Sequence, residues 1–252
     1  MKLRLALLLL LALAGPAGAD EKIVLGLSQN SVTISTNFDG ENILIFGAVN
    51  RDSPPPRDSL MGVIITVAGP ESPLTVRQKE HRFGIWINTN SVHVDSAPSY
   101  YAVATTAPLS LILKEIEDVR YKISIPRAIR QVGALVTNSQ DYTEALIRIR
   151  QKSGLYQVLQ GSVTLDQNTL FGTRIPMPSN LVEGDYKTRI FLTRNGQVID
   201  EYDTTIPVYK VGLERWLYNL AHQHAYLYGA LSLVIAVLAG YGASAIFERL
   251  RR

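Results

Sequence analysis

The run GDYKTRIFLTRNGQVIDEYDTTIPVYK (184–210) holds two stretches of strand-like period on either side of Asn195-Gly196. Asn-Gly is the strongest short hairpin signal, because a two-residue type I′ turn needs φ > 0 at both central positions. A long hairpin late in the chain sets a β framework, and the rest is read outward from it. Immediately upstream, "GSVTL" (161–165) and "LFGTRIPMP" (170–178) keep the strand period. Toward the N-terminus lie "IVLGLSQNSVTIST" (23–36), a turn at Asp39-Gly40, and "NILIFGAVN" (42–50), whose unbroken apolar centre suits a strand buried on both faces. "DSPPPRDS" (52–59) is a loop, since its prolines remove backbone donors and fix φ. "MGVIITVAG" (61–69), "LTVRQ" (74–78), "FGIWIN" (83–88), "SVHV" (91–94) and "SYYAVATT" (99–106) follow as short strands separated by Gly, Pro, Asn and Asp.

Between the two β-rich parts the period changes. In "TAPLSLILKEIEDVR" (106–120) Leu109, Ile112, Leu113 and Ile116 recur at helical spacing, with Pro108 in the first turn. A second helix is expected in "DYTEALIRIRQKSG" (141–154), with Tyr142, Leu146 and Ile149 facing the core and Gly154 as the stop. The carboxylates Glu115, Glu117 and Asp118 are read as a wet helix face. The fold class expected is mainly β with a helical insertion: one or more immunoglobulin-like antiparallel sandwiches plus one C-terminal transmembrane helix. Gly184-Asp185-Tyr186 supports the sandwich, because a tyrosine at that place in immunoglobulin-like domains bonds back to the preceding corner.

The two ends carry topology. "MKLRLALLLLLALAGPAGAD" has the cationic start, apolar run and small-residue end of a secretory signal peptide, 1–19, cleaved before Asp20. From Ala225 to Phe247 there is no charged side chain, and at ~1.5 Å per residue such a helix spans about 34 Å. Trp216, Tyr218, Tyr226 and Tyr228 sit before or at the start of the span, and Arg249, Arg251 and Arg252 follow it, so the C-terminus is expected in the cytoplasm. Segment 211–224, with Leu213, Trp216, Leu217 and Leu220 at i, i+3, i+4 and i+7, reads as an amphipathic lead-in. The expected plan is signal peptide 1–19, β part 20–106, helical part 107–158, second β part 159–210, juxtamembrane segment 211–224, span 225–247 and tail 248–252. This places a single-pass protein in a bacterial inner membrane with its N-terminal domain in the periplasm.

Composition narrows the chemistry. The absence of cysteine excludes disulfides, thiol catalysis and thiolate metal sites. The formal charge of +3 arises from the signal segment and the tail, so it reflects topology and gives no footprint for nucleic acid. G-x-S-x-G, S-x-x-K, H-E-x-x-H and Walker motifs are absent, and the chain is read as a non-enzyme with no cofactor. His93 and Asp95 share a strand face without a third ligand in sight, and His222 and His224 point apart on a helix, so no metal site is assigned. "VRQKEHRFG" (76–84) reads either as a solvated hairpin tip or as an anion or headgroup contact. A possible ligand or partner surface comprises Arg77, Lys79, Arg82, Trp86, Asn88, Tyr100 and Tyr101, the last two either surface or core. Ala236, Gly240 and Ser244 form a possible helix-packing face on the span.

The ordered segments "FGIWINTN", "APSYYAVATTAPL", "TLFGTRIPMPSN" and "EGDYKTRIFLTRNGQVI", ahead of a C-terminal span, resemble a family of predicted transmembrane proteins from Alphaproteobacteria, of the Alph_Pro_TM type. The resemblance covers nearly the whole mature chain and implies a single-span envelope protein without assigned catalytic residues. The function expected is a membrane-anchored periplasmic interaction module with a membrane-protein partner or a second copy. The alternative, suggested by family genes near sulfite-exporter-type permeases, is a solute- or anion-binding accessory subunit of an inner-membrane permease.

Overall fold

The structure is a computed structural model that describes residues 21–27, 31–34, 40–51, 59–130, 139–210 and 213–250, with side chains undescribed at 34, 139, 210, 213–215, 218–219 and 244–250. The expected signal peptide, most of the proline-rich loop and residues 251–252 lie outside the described residues. In chain order the elements are β1 (Glu21–Leu27), β2 (Val32–Ile34), β3 (Glu41–Arg51), β4 (Met61–Ala68), β5 (Glu71–Arg82), β6 (Ile85–Pro98) and β7 (Tyr101–Thr105). Then come α1 (Leu109–Ile112), α2 (Glu115–Tyr121), α3 (Ile125–Ala128), α4 (Ser139–Lys152), β8 (Tyr156–Leu159), β9 (Thr164–Asp166), β10 (Leu170–Met177), β11 (Gly184–Arg194) and β12 (Gln197–Lys210). Two helices follow, α5 (Leu213–Gln223) and α6 (Ala225–Leu250).

One sheet has the order β1-β3-β10-β9 and is antiparallel throughout. A second has the order β2-β12-β11-β4-β7-β8, with parallel pairs at its two edges. The early and late β segments thus interleave in both sheets and build one body, and the expected boundary at 158/159 falls inside β8. The expected Asn195-Gly196 hairpin joins β11 to β12, with φ of 50° and 79° at the two turn residues.

Two cores flank the larger sheet. In the first, Ile43 and Ile45 of β3 and Ile175 of β10 pack with Val63, Ile65, Ile190 and Leu192. In the second, Ile64, Tyr101, Val103 and Phe191 are covered by Ile112, Leu113, Ile123, Ile125 and Leu146 of the helical layer. The strands buried on both faces are therefore β4, the MGVIITV run, and β7, and not the 42–50 segment read as such from its apolar centre. The physical reason lies in the layering: β3 belongs to an outer sheet with one covered face, so its burial alternates and Phe46 remains 45% exposed.

The helical layer departs from the sequence pattern at two places. Leu113 adopts extended geometry, with φ −142° and ψ 126°, and splits the first expected helix into α1 and α2. Ile116 consequently turns outward, and Glu117, read as solvated, is buried, accepting the Val198 N–H at 3.3 Å and pairing with Arg120 at 3.2 Å. In α4, Tyr142 and Leu146 are buried as expected, but Ile149 is 61% exposed. Arg150 takes the inward place instead, its guanidinium donating to the Ser99 carbonyl at 2.9 Å.

A buried ion cluster fastens the first strand: the Glu21 carboxylate accepts from Arg51 at 2.9 Å and from Arg194 at 2.7 Å. At the expected corner the Tyr186 hydroxyl donates to the Val182 carbonyl at 2.8 Å. Tyr186→Phe removes that bond while keeping the ring, and should lower unfolding stability by about 1 kcal/mol. Chemical denaturation of the detergent-solubilised protein measures it; an unchanged midpoint would assign the corner no energetic role.

Candidate functional site

Strands β5 and β6 form a separate two-stranded ribbon turning at Phe83-Gly84, with φ of 51° and 83°. Glycine suits such a turn, whereas an L-residue in the left-handed region costs roughly 1–2 kcal/mol, so Phe83 holds its place against local preference. The register sets the two faces. Leu74 opposes Val94 and Val76 opposes Val92, and these four turn toward the second core at the ribbon's base. On the other face Arg77 opposes Ser91, Lys79 opposes Asn88 and His81 opposes Trp86.

The structure therefore brings Arg77, Lys79, Trp86 and Asn88 together on one exposed face. Trp86 is 69% exposed and meets the His81 ring edge-on, with centroids 5.2 Å apart. Arg82 lies on the opposite face beside Ile85 and is held by Glu80 at 2.8 Å. Phe83 is fully exposed and Ile85 is 62% exposed; neither stood among the expected surface residues. A helpful signal was the apolar tripeptide pattern around Gly84, which in a hairpin must sit at the tip.

Tyr100 and Tyr101 are not part of this surface. Strand alternation sends Tyr100 into the first core and Tyr101 into the second, where their hydroxyls donate to the carbonyls of Pro176 at 2.9 Å and Ile123 at 2.8 Å. Burial pushes the Tyr101 and Tyr156 phenols up to about 12 and also raises those of Tyr100 and Tyr186. A phenol raised in the folded state contributes fully to stability below the unfolded value near 10, and that contribution is lost as pH rises through the folded value. Stability in urea should thus fall between about pH 10 and 12, by roughly 3 kcal/mol for each of Tyr101 and Tyr156. Ultraviolet absorbance of tyrosinate should rise together with unfolding; ionisation of these phenols near pH 10 without unfolding would contradict their burial.

His93 and Asp95 approach to 3.9 Å, and His93 also faces Thr75. Among the described residues no group of three or more His, Asp or Glu is placed to hold a metal ion. Among the described residues, the cavities are lined by other elements than the ribbon cations. An open groove of about 660 Å³ lies elsewhere, lined by Leu109, Leu111, Lys114, Asp118, Asn195 and Gly196.

The second feature is α6. Ala225–Ala243 is long and apolar enough to cross a membrane, and none of it is buried against the protein. Leu233, Val237, Leu238 and Tyr241 are each more than 60% exposed, a surface that water would not tolerate in such length. Ala236 and Gly240 lie one turn apart on this helix; the Ser244 side chain is outside those described. Helix α5 leads into α6 through His224, whose carbonyl accepts the Leu227 N–H at 2.9 Å, and exposes Trp216.

A layered β body with a projecting ribbon, continued by an uncovered apolar helix, defines a single-pass membrane protein. The family described as "Putative transmembrane protein (Alph_Pro_TM)" matches residues 22–249, and the chain belongs to it. No curated protein matches the chain.

Proposed function

We propose that the protein is a non-enzymatic, membrane-anchored interaction module whose β body stands in the periplasm of a bacterial cell. The span holds it in the inner membrane, the C-terminal arginines stay cytoplasmic, and the body meets a membrane or envelope protein partner. The observation that carries this reading is the uncovered 19-residue apolar helix joined through one short amphipathic helix to a body with two closed cores. The arginines after the span supply the orientation, since cationic flanks are retained on the cytoplasmic side. Arg77, Lys79 and Arg82 are all exposed on the ribbon, which favours a surface contact over capture of a small anion.

Affinity isolation from mild detergent, with and without residues 211–252, tests the reading. A specific companion, or a second copy, is expected with the full-length chain and should weaken without the span. A monomer free of companions in both forms would contradict it.

A further inference from the structure

We infer that the tip of the β5–β6 ribbon is a second membrane contact, which seats Phe83, Ile85 and Trp86 in the headgroup region of an anionic bilayer. This rests on the reading that the body stands at a membrane, and it assigns the ribbon's partner. Three observations carry it.

The first is the chemistry of the tip. Phe83 is fully exposed, and Ile85 and Trp86 are 62% and 69% exposed, at the end of a hairpin rather than on a sheet face. A Phe kept in a left-handed turn conformation at φ 51°, with its ring in solvent, meets no demand of the fold. Aromatic and branched apolar side chains at such a point match the interfacial layer of a bilayer, where amphipathic rings settle.

The second is charge. Arg77, Lys79 and Arg82 stand within six residues behind Phe83, against the single carboxylate of Glu80, which pairs with Arg82. Apolar groups ahead and cations behind form the order in which an anionic membrane presents its own layers, phosphates outside and chains within. A protein groove would need a matching acidic rim; a lipid surface supplies it everywhere.

The third is topology. Gly184 pairs with Val208 of β12, and the space beside its α-carbon is filled by Pro70, whose ring would lie 2.5 Å from an added Cβ. Pro70 immediately precedes β5, so the ribbon leaves the central sheet at the same end from which Lys210 leads to the span. Along β5, Gln78 still meets the helical layer, accepting from the Tyr142 hydroxyl at 3.1 Å. Four further residues carry the tip about 14 Å beyond that point. Two ties from one end of a sheet, a span and a ribbon, would fix the body's tilt on the membrane.

The chain contains two tryptophans, Trp86 at the tip and Trp216 in α5, so each can report separately. The full-length protein is reconstituted into vesicles of phosphatidylcholine alone or with one-quarter phosphatidylglycerol, carrying lipids brominated near the headgroup. In the Trp216→Phe variant, Trp86 emission should shift to the blue and be quenched by the brominated lipid in the anionic vesicles. Replacing Arg77 and Lys79 by Gln should cut the quenched fraction, with the partition weakened roughly fivefold per cation removed. Retention of the wild-type thermal midpoint shows that these variants are folded. In the Trp86→Phe variant, Trp216 should be quenched regardless of lipid charge, which reads the anchor alone. Trp86 remaining open to aqueous quencher while Trp216 is lipid-quenched overturns the ribbon contact and leaves the anchor standing. Both tryptophans remaining wet overturns the anchor as well, and quenching of Trp86 that ignores both lipid charge and the Gln substitutions overturns the electrostatic part.

Discussion

Phe191→Ala should lower unfolding stability by about 3–5 kcal/mol and the thermal midpoint by roughly 6–20 °C. Phe191 is fully buried in the second core, on the face of β11 turned to the helical layer. The Tyr121 ring meets it edge-on at 5.6 Å, and the Arg189 guanidinium lies 5.0 Å above its face. Truncation therefore removes apolar burial and leaves a cavity between sheet and helical layer that neither rigid side can close. It also strips Arg189 of its ring, although that guanidinium keeps its bond to the Tyr121 carbonyl at 2.8 Å. Thermal unfolding in detergent, followed by near-ultraviolet circular dichroism, checks the size. A loss below about 1 kcal/mol would mean that the helical layer is only loosely applied to the sheet.

The second large effect concerns the span. Leu233 and Val237 lie one turn apart near the middle of Ala225–Ala243, both exposed along the helix. An arginine at the centre of a membrane helix costs about 2.5–3.5 kcal/mol on the insertion scale, so Leu233→Arg combined with Val237→Arg opposes insertion by roughly 5–7 kcal/mol. The wild-type protein should stay with membranes through alkaline carbonate washing. The double variant should shift largely to the soluble fraction with its β body still protease-resistant, because among the described residues the middle of α6 is not buried against that body. A double variant that remains fully in the washed pellet would argue that something other than the span holds the protein there.

Much of this fold was legible in the sequence where a local rule had no competitor. Asn195-Gly196 marked a hairpin because few other dipeptides accept φ > 0 twice, and the Tyr186 corner followed from its place at a strand start. The span was legible because length and lack of charge act without tertiary context. Layering was not legible, since a continuous apolar run reads alike in 42–50 and 61–68, and only the position of a sheet in the stack decides which is covered twice. The break at Leu113 was hidden as well: the helical spacing continues through it, while the tertiary demand to deliver Glu117 to the Val198 N–H reorients the second half.

The candidate surface divided along the same line. Arg77, Lys79, Trp86 and Asn88 could be gathered because strand alternation alone puts them on one side of the ribbon. Tyr100 and Tyr101 were separated from them by burial, which depends on the two cores on either side of β7. Phe83 and Ile85 escaped notice because apolar residues beside a turn ordinarily belong to a core, and only the ribbon's projection exposes them.

The proposed arrangement sets the β body on the outer side of a membrane, held by one span with its tail inside. The chain has no cysteine, so a single introduced thiol reports its own compartment without background. Lys187→Cys places one at an exposed position near the start of β11, and Arg252→Cys places one in the tail. A membrane-impermeant maleimide applied to intact spheroplasts should label Cys-substituted position 187 at once and position 252 only after lysis. Labelling of 252 in intact spheroplasts, with 187 protected until lysis, would invert the topology and contradict the account.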